Sequence, residues 1–223
     1  MTYDELVVNI RRYMETDSNV LSDSVINTFI LMTENKILRD IDLEIFRQNS
    51  LGNLTANNRF LTMPIDILTH RYMLVKNGDE ETFLDFRDVS YVKEYWKDQT
   101  DTGFPKYYSV WDATTFLIAP TPAQSYVVEL GYIRKPAGLS STNQNTWLSI
   151  NAPEALLYGS LVQAYSFTKG PIEMLGYFTN SYKEALSGLG LEQQGRRRRD
   201  EYRDGLIRTE LLAANPISPN EAK

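Results

Sequence analysis

Asn151-Ala152-Pro153-Glu154-Ala155-Leu156-Leu157-Tyr158-Gly159-Ser160-Leu161 is the stretch whose reading decides the fold. Asn151 is placed to cap a helix, and Pro153 falls in the first turn, where its missing N–H costs nothing. Leu156, Leu157, Leu161 and Tyr165 then recur at helical spacing, and Gly170-Pro171 stops the helix. A second helix is predicted from Pro171 to about Leu186, with Leu175, Phe178, Tyr182 and Leu186 inward. Gly188 and Gly190 weaken its end. Residues 191–204 are charged and helix-permissive and include the run Arg196-Arg197-Arg198-Arg199. Beyond Gly205 the chain carries Leu206, Ile207, Leu211 and Leu212, then Pro216 and Pro219, which reads as an extended tail.

Upstream of Asn145-Thr146-Trp147 the period is different. Residues 50–149 read as a β-meander rich in Tyr, Phe and Trp. Asn77-Gly78 marks a hairpin between Arg71–Val75 and Phe83–Phe86. Asp88 is placed to cap a short helix, and Asp112-Ala113 marks a turn between Tyr107–Trp111 and Thr114–Ile118. A long strand follows from Tyr126 to Ile133. The connections look too short for helical crossovers, so antiparallel neighbours are expected. Before residue 50 the helical period returns. Thr2 and Glu5 form a capping-box pattern for a helix over 2–16, with Leu6, Val7, Ile10, Tyr13 and Met14 on one face. A second helix runs from Ser22 to about Ile41, with Leu21 and Ile26 placed as a hydrophobic staple. The expectation is an α+β chain. Helices from 1–49 and 150–205 form one bundle, 50–149 is an inserted antiparallel β lobe, and 206–223 is a docking tail.

Composition narrows the function classes. A net charge of −6 argues against a general nucleic-acid coat. The absence of cysteine removes disulfides, thiolate metal sites and cysteine nucleophiles. Met1-Thr2-Tyr3-Asp4-Glu5 is acidic and lacks the apolar core of a signal peptide. No window approaches the roughly 18 apolar residues of a membrane span. A soluble protein made in cytoplasm is expected.

Enzyme chemistry finds little support. His70 is the single histidine, and one imidazole cannot build a histidine-based metal cluster. There is no phosphate loop, dinucleotide fingerprint or Gly-x-Ser-x-Gly elbow. Gly159-Ser160 sits inside a strong helix, and the acid pairs Glu80-Glu81 and Asp40/Asp42 flank turns or helix ends. No catalytic, cofactor or metal residue is assigned. The aromatics Tyr91, Tyr95, Trp96, Phe104, Tyr107, Tyr108, Trp111, Phe116, Tyr126 and Tyr132 read first as the core of a small lobe. Their second reading is a protein interface. Asp85, Asp88, Glu94, Asp98, Asp101 and Asp112 interleave where a nucleic-acid binder would place basic residues. The arginine run reads either as a solvated helix end or as a clamp on an acidic protein surface.

Several ordered segments resemble the head-to-tail adaptor (connector) proteins of tailed bacteriophages, which include the tail tubular protein A group of short-tailed phages. The carrying segments are Pro105-Lys106-Tyr107-Tyr108-Ser109-Val110, Phe116-Leu117-Ile118-Ala119-Pro120-Thr121-Pro122 and Glu129-Leu130-Gly131-Tyr132. Pro136 to Leu139, Trp147-Leu148 and Ala152 to Tyr158 continue the series. The resemblance implies a structural virion protein in the neck between capsid and tail, assembled in the host cytoplasm. It implies a ring, usually dodecameric, that joins the portal to a tail nozzle or other tail component. Genomic double-stranded DNA would pass through its channel without specific binding, with no cofactor and no membrane contact. It also implies that the C-terminal extension docks along the portal, which would place Arg196 to Lys223 at that contact; the docking residues expected there from their charge and apolar character are Arg196, Arg197, Arg198, Arg199, Leu206, Ile207, Leu211 and Leu212. The alternatives are another neck or stopper subunit, or a carboxylate-based glycan hydrolase with two facing acids about 5–10 Å apart.

Overall fold

Thr2 opens the first helix, α1 (Tyr3–Met14), with a reciprocal cap. Its hydroxyl accepts from the Glu5 amide at 3.2 Å, and the Glu5 carboxylate accepts from the Thr2 amide at 2.8 Å. Tyr3, Leu6, Val7 and Ile10 form its buried stripe, while Tyr13 at the predicted edge is exposed. Glu15 turns left-handed and ends the helix. Arg11 then donates to the Leu21 carbonyl and pairs with Asp23, fastening the turn into α2 (Asp23–Asp40). Ser22 caps α2, and Leu21 and Ile26 are fully buried. The structure, a computed structural model, describes residues 1–41 and 43–200, with side chains through Gln193. The predicted tail 206–223, with Leu206, Ile207, Leu211 and Leu212, lies outside the described residues, as do the side chains of Arg196–Arg199.

The fold is mixed α+β, with six α-helices and a mostly antiparallel sheet among the described residues. The chain divides into two compact units, one built from Met1–Glu44 and the segment from Ala137 onward, the other from Ile45–Pro136.

In the first unit α5 (Pro153–Thr168) packs against α1, α2, α4 (Trp147–Asn151) and α6 (Ile172–Asp200). The short helix α4 was not expected. Thr146 and Ser149 form its capping box, so Asn151 closes α4 instead of capping α5, and Ala152 takes the cap position without a side-chain bond. α6 is much longer than its glycines predict. Phe178, Tyr182, Leu189 and Gln193 recur on one buried face. That burial outweighs the ~1 kcal/mol cost of each interior glycine. Where the chain re-enters this unit, the buried carboxylate of Glu34 accepts from the Leu139 amide through both oxygens at 3.1 Å. Tyr3 N–H donates to the Gln144 carbonyl at 3.0 Å, fixing the same segment to α1.

The second unit holds a seven-stranded sheet in the order β1-β9-β3-β4-β6-β7-β2. Its strands are β1 (Arg47–Leu54), β2 (Phe60–Thr62), β3 (Ile67–Asn77), β4 (Glu80–Phe86), β6 (Tyr107–Asp112), β7 (Thr115–Ala119) and β9 (Tyr126–Arg134). A two-stranded sheet joins β5 (Thr102–Gly103) to β8 (Thr121–Pro122). The hairpin turn sits one residue later than predicted. Asn77 pairs with Glu80, and Gly78, not Asn77, takes the positive φ of 63°. The expectation of antiparallel neighbours throughout is corrected at two places. β4 pairs with β6 in parallel, and β5 with β8 likewise. The link from β4 to β6 contains α3 (Val89–Tyr95), capped by Asp88 as predicted, and so is long enough for a crossover. Met73, Val75, Leu84, Tyr108, Phe116, Ile118, Val128 and Leu130 lie at the centre of the core.

Candidate functional site

A concavity of about 650 Å³ runs between the N-terminal half of α5 and the middle of α6. On α6 the lining residues Tyr177, Ser181, Glu184, Gly188 and Glu192 repeat at helical spacing, on the face beside buried Phe178 and Tyr182. The opposite wall carries Glu154, in the first turn of α5, and Tyr158. Ala155, Ser181, Ala185 and Gly188 keep the groove open because they have little side chain to fill it. Burial, followed by the neighbours Tyr13, Tyr177, Glu154 and Glu184, raises the Tyr158 hydroxyl above the ordinary tyrosine range. Glu154 and Glu184 are exposed. A glycan hydrolase places one of its acids in an apolar site, whereas Glu154, Glu184 and Glu192 of this groove are all exposed.

The aromatic residues divide between two environments. Tyr108, Phe116, Tyr126 and Tyr132 are core, and burial pushes the Tyr108 hydroxyl up to about 12. Phe104 packs edge-on to Tyr126 at 5.2 Å. Tyr91, Tyr95, Trp96 and Tyr107 make a second cluster with centroids 4.5 to 6.5 Å apart, reaching the surface at Tyr95. Arg87 lies over the Tyr91 and Tyr107 rings, and Lys93 over Trp111. The interleaved acids have local work. Asp88, Asp98 and Asp112 each accept from the amide and hydroxyl two residues on, at Ser90, Thr100 and Thr114. These bonds hold all three carboxyls below the usual carboxylate range.

His70 is half-buried among Phe86, Tyr108 and Phe116, with ring centroids 4.7, 5.6 and 5.8 Å away. Burial, with a smaller contribution from Arg71, lowers its pKa. The unfolded chain therefore binds this proton at a pH where the folded chain does not. Stability from neutral His70 is complete above the unfolded value near 6.5 and is lost as pH falls from there towards the folded value. His70→Phe keeps an aromatic ring and removes the titration. Its stability relative to wild type is expected to rise steadily as urea titrations move below pH 6.5. A difference that stays constant with pH would show that His70 does not titrate out of register.

Of the residues expected to dock on a partner, Arg196–Arg199 lie on the last turns of α6, so their backbone is helical and continuous with the groove wall. The sequence reading had not singled out Glu154 or Glu184. The signal for Glu184 was the polar face of α6, repeating at three and four residues. Among the described residues no group of three or more His, Cys, Asp or Glu side chains could hold a metal ion. No described helix is long and apolar enough to cross a membrane.

A family model described as SU10 adaptor protein matches residues 1–208. The chain belongs to the SU10 adaptor protein family. It is thus a phage adaptor protein, a structural component of the virion, and the family is consistent with a non-catalytic role. The match takes in Arg196–Arg199, Leu206 and Ile207 and ends before Leu211 and Leu212. No curated protein matches the chain.

Proposed function

We propose that this SU10 adaptor protein forms a homo-oligomeric ring, dodecameric as in the tail tubular protein A group it resembles, beneath the phage portal. The ring joins the portal to tail components and leaves a channel for genomic DNA. Its terminal helices act as one bundle, with the β lobe inserted. The observation that carries this reading is the family match over nearly the whole chain. The net charge of −6 supports passage of DNA without tight binding, since few phosphates would be neutralised. Residues 206–223 dock on the portal. Leu206, Ile207, Leu211 and Leu212 supply apolar area there, each contributing roughly 1.5–3 kcal/mol on burial. Ordering the backbone costs about 1–2 kcal/mol per residue, so charge-assisted contacts from the arginine run are needed as well.

The test is binding of purified portal by the full chain and by a chain ending at Gly205. The shorter chain should fold normally and bind at least about tenfold more weakly, a loss of about 1.4 kcal/mol. Equal binding would remove the tail as the docking element.

A further inference from the structure

α6 carries an acidic groove wall and a basic end: of the wall's acids only Glu192, four residues before Arg196, is within reach of that end, while Glu184, and Glu154 across from it on α5, are not. Helix rise places Arg196–Arg199 about 20 Å beyond Glu184 along the same rod. The helix cannot fold back onto its own groove. Consecutive helical residues are also turned about 100° from one another, so four arginines cannot all face one partner. A portal contact therefore leaves some of them for another surface. Glu154 and Glu184 line the groove without an ion pair among the described residues. Tyr158 and Tyr177 stand beside them, and the small residues Ala155, Ser181 and Ala185 form a shallow floor. A Cβ built on Gly188 would meet nothing within 4 Å.

We infer that this groove takes the arginine-bearing end of α6 from a second copy of the chain. Guanidinium groups pair with the Glu154 and Glu184 carboxylates and stack on the Tyr158 and Tyr177 rings. Glu154 also offsets the positive N-terminal dipole of α5, which alone would repel a cation. The contact is heterologous, because each copy offers a groove to one neighbour and an arginine end to the other. A heterologous contact repeated about a closing rotation gives a ring, and one whose rotation does not close gives a filament. The inference deepens the ring reading proposed above and supplies its subunit contact.

Two measurements test it without the portal. The first uses a full chain carrying Arg196, Arg197, Arg198 and Arg199→Ser, which keeps the groove and removes its competitor. A labelled peptide of residues 193–203 should bind this chain saturably, more weakly at higher salt, and about tenfold more weakly after Glu154→Gln with Glu184→Gln. The second exploits the absence of cysteine. Full chains carrying Glu184→Cys and Arg197→Cys, mixed and oxidised, should cross-link about tenfold faster than a Ser166→Cys and Arg197→Cys mixture. Peptide binding indifferent to the two glutamates, together with cross-linking no faster than the control, would overturn the inference. The portal-docking reading would survive that result. The converse result, arginine capture by the groove without portal binding, would overturn the portal reading alone.

Discussion

Replacing Phe178 by Ala is expected to destabilise the helical unit by about 3–5 kcal/mol. Phe178 is 1% exposed and touches rings from three helices. Tyr13 of α1 lies at 6.2 Å, Tyr158 and Tyr165 of α5 at 6.3 and 5.0 Å, and Tyr177 of α6 at 5.3 Å. Truncation removes the transfer energy of the ring and leaves a cavity that four tyrosines cannot fill without leaving their own positions. Phe178→Leu keeps most of the volume and should cost much less. Urea unfolding followed by far-ultraviolet circular dichroism gives both values. A loss under about 1 kcal/mol for Phe178→Ala, the range of ordinary substitutions, would mean that the helices are not held at this point.

Glu34→Ala is the second large effect, at about 1–3 kcal/mol. The carboxylate is 4% exposed and accepts the Leu139 amide where the chain returns from the β unit. Gly138 passes so close that a Cβ there would lie 2.9 Å from a Glu34 oxygen. Removing Glu34 leaves the buried Leu139 N–H without its acceptor. Glu34→Gln retains one acceptor oxygen and should recover part of the loss. Amide exchange at Leu139 should rise in Glu34→Ala before any global unfolding. Unchanged exchange at that amide would contradict the assigned role.

Three helix starts were legible from caps written locally. Thr2 with Glu5, Ser22 and Asp88 each mark a start that the structure contains. Asn151 misled because Thr146 with Ser149 is an equally good box five residues earlier, and only packing decides between them. β1 was not legible at all. Arg47-Gln48-Asn49-Ser50-Leu51-Gly52-Asn53-Leu54 shows no alternation, and its strand form comes from an eight-pair ladder with β9, remote in sequence. The far end of α6 was hidden for the opposite reason, since local glycines spoke against a helix that tertiary burial sustains. The groove shares this difficulty. Glu154 and Glu184 lie thirty positions apart, and only the pairing of α5 with α6 brings them onto facing walls. The resemblance to phage adaptors, read from an ordered series of individually weak segments, is borne out at the level of the family.

The central question is whether this chain builds a closed ring on the portal. Cryo-electron microscopy of the full chain bound to purified portal measures this directly. A single closed ring is expected, with each arginine end of α6 lying in the Glu154 and Glu184 groove of the next copy. Isolated copies bound at scattered portal sites, or no density beyond the portal, would contradict it.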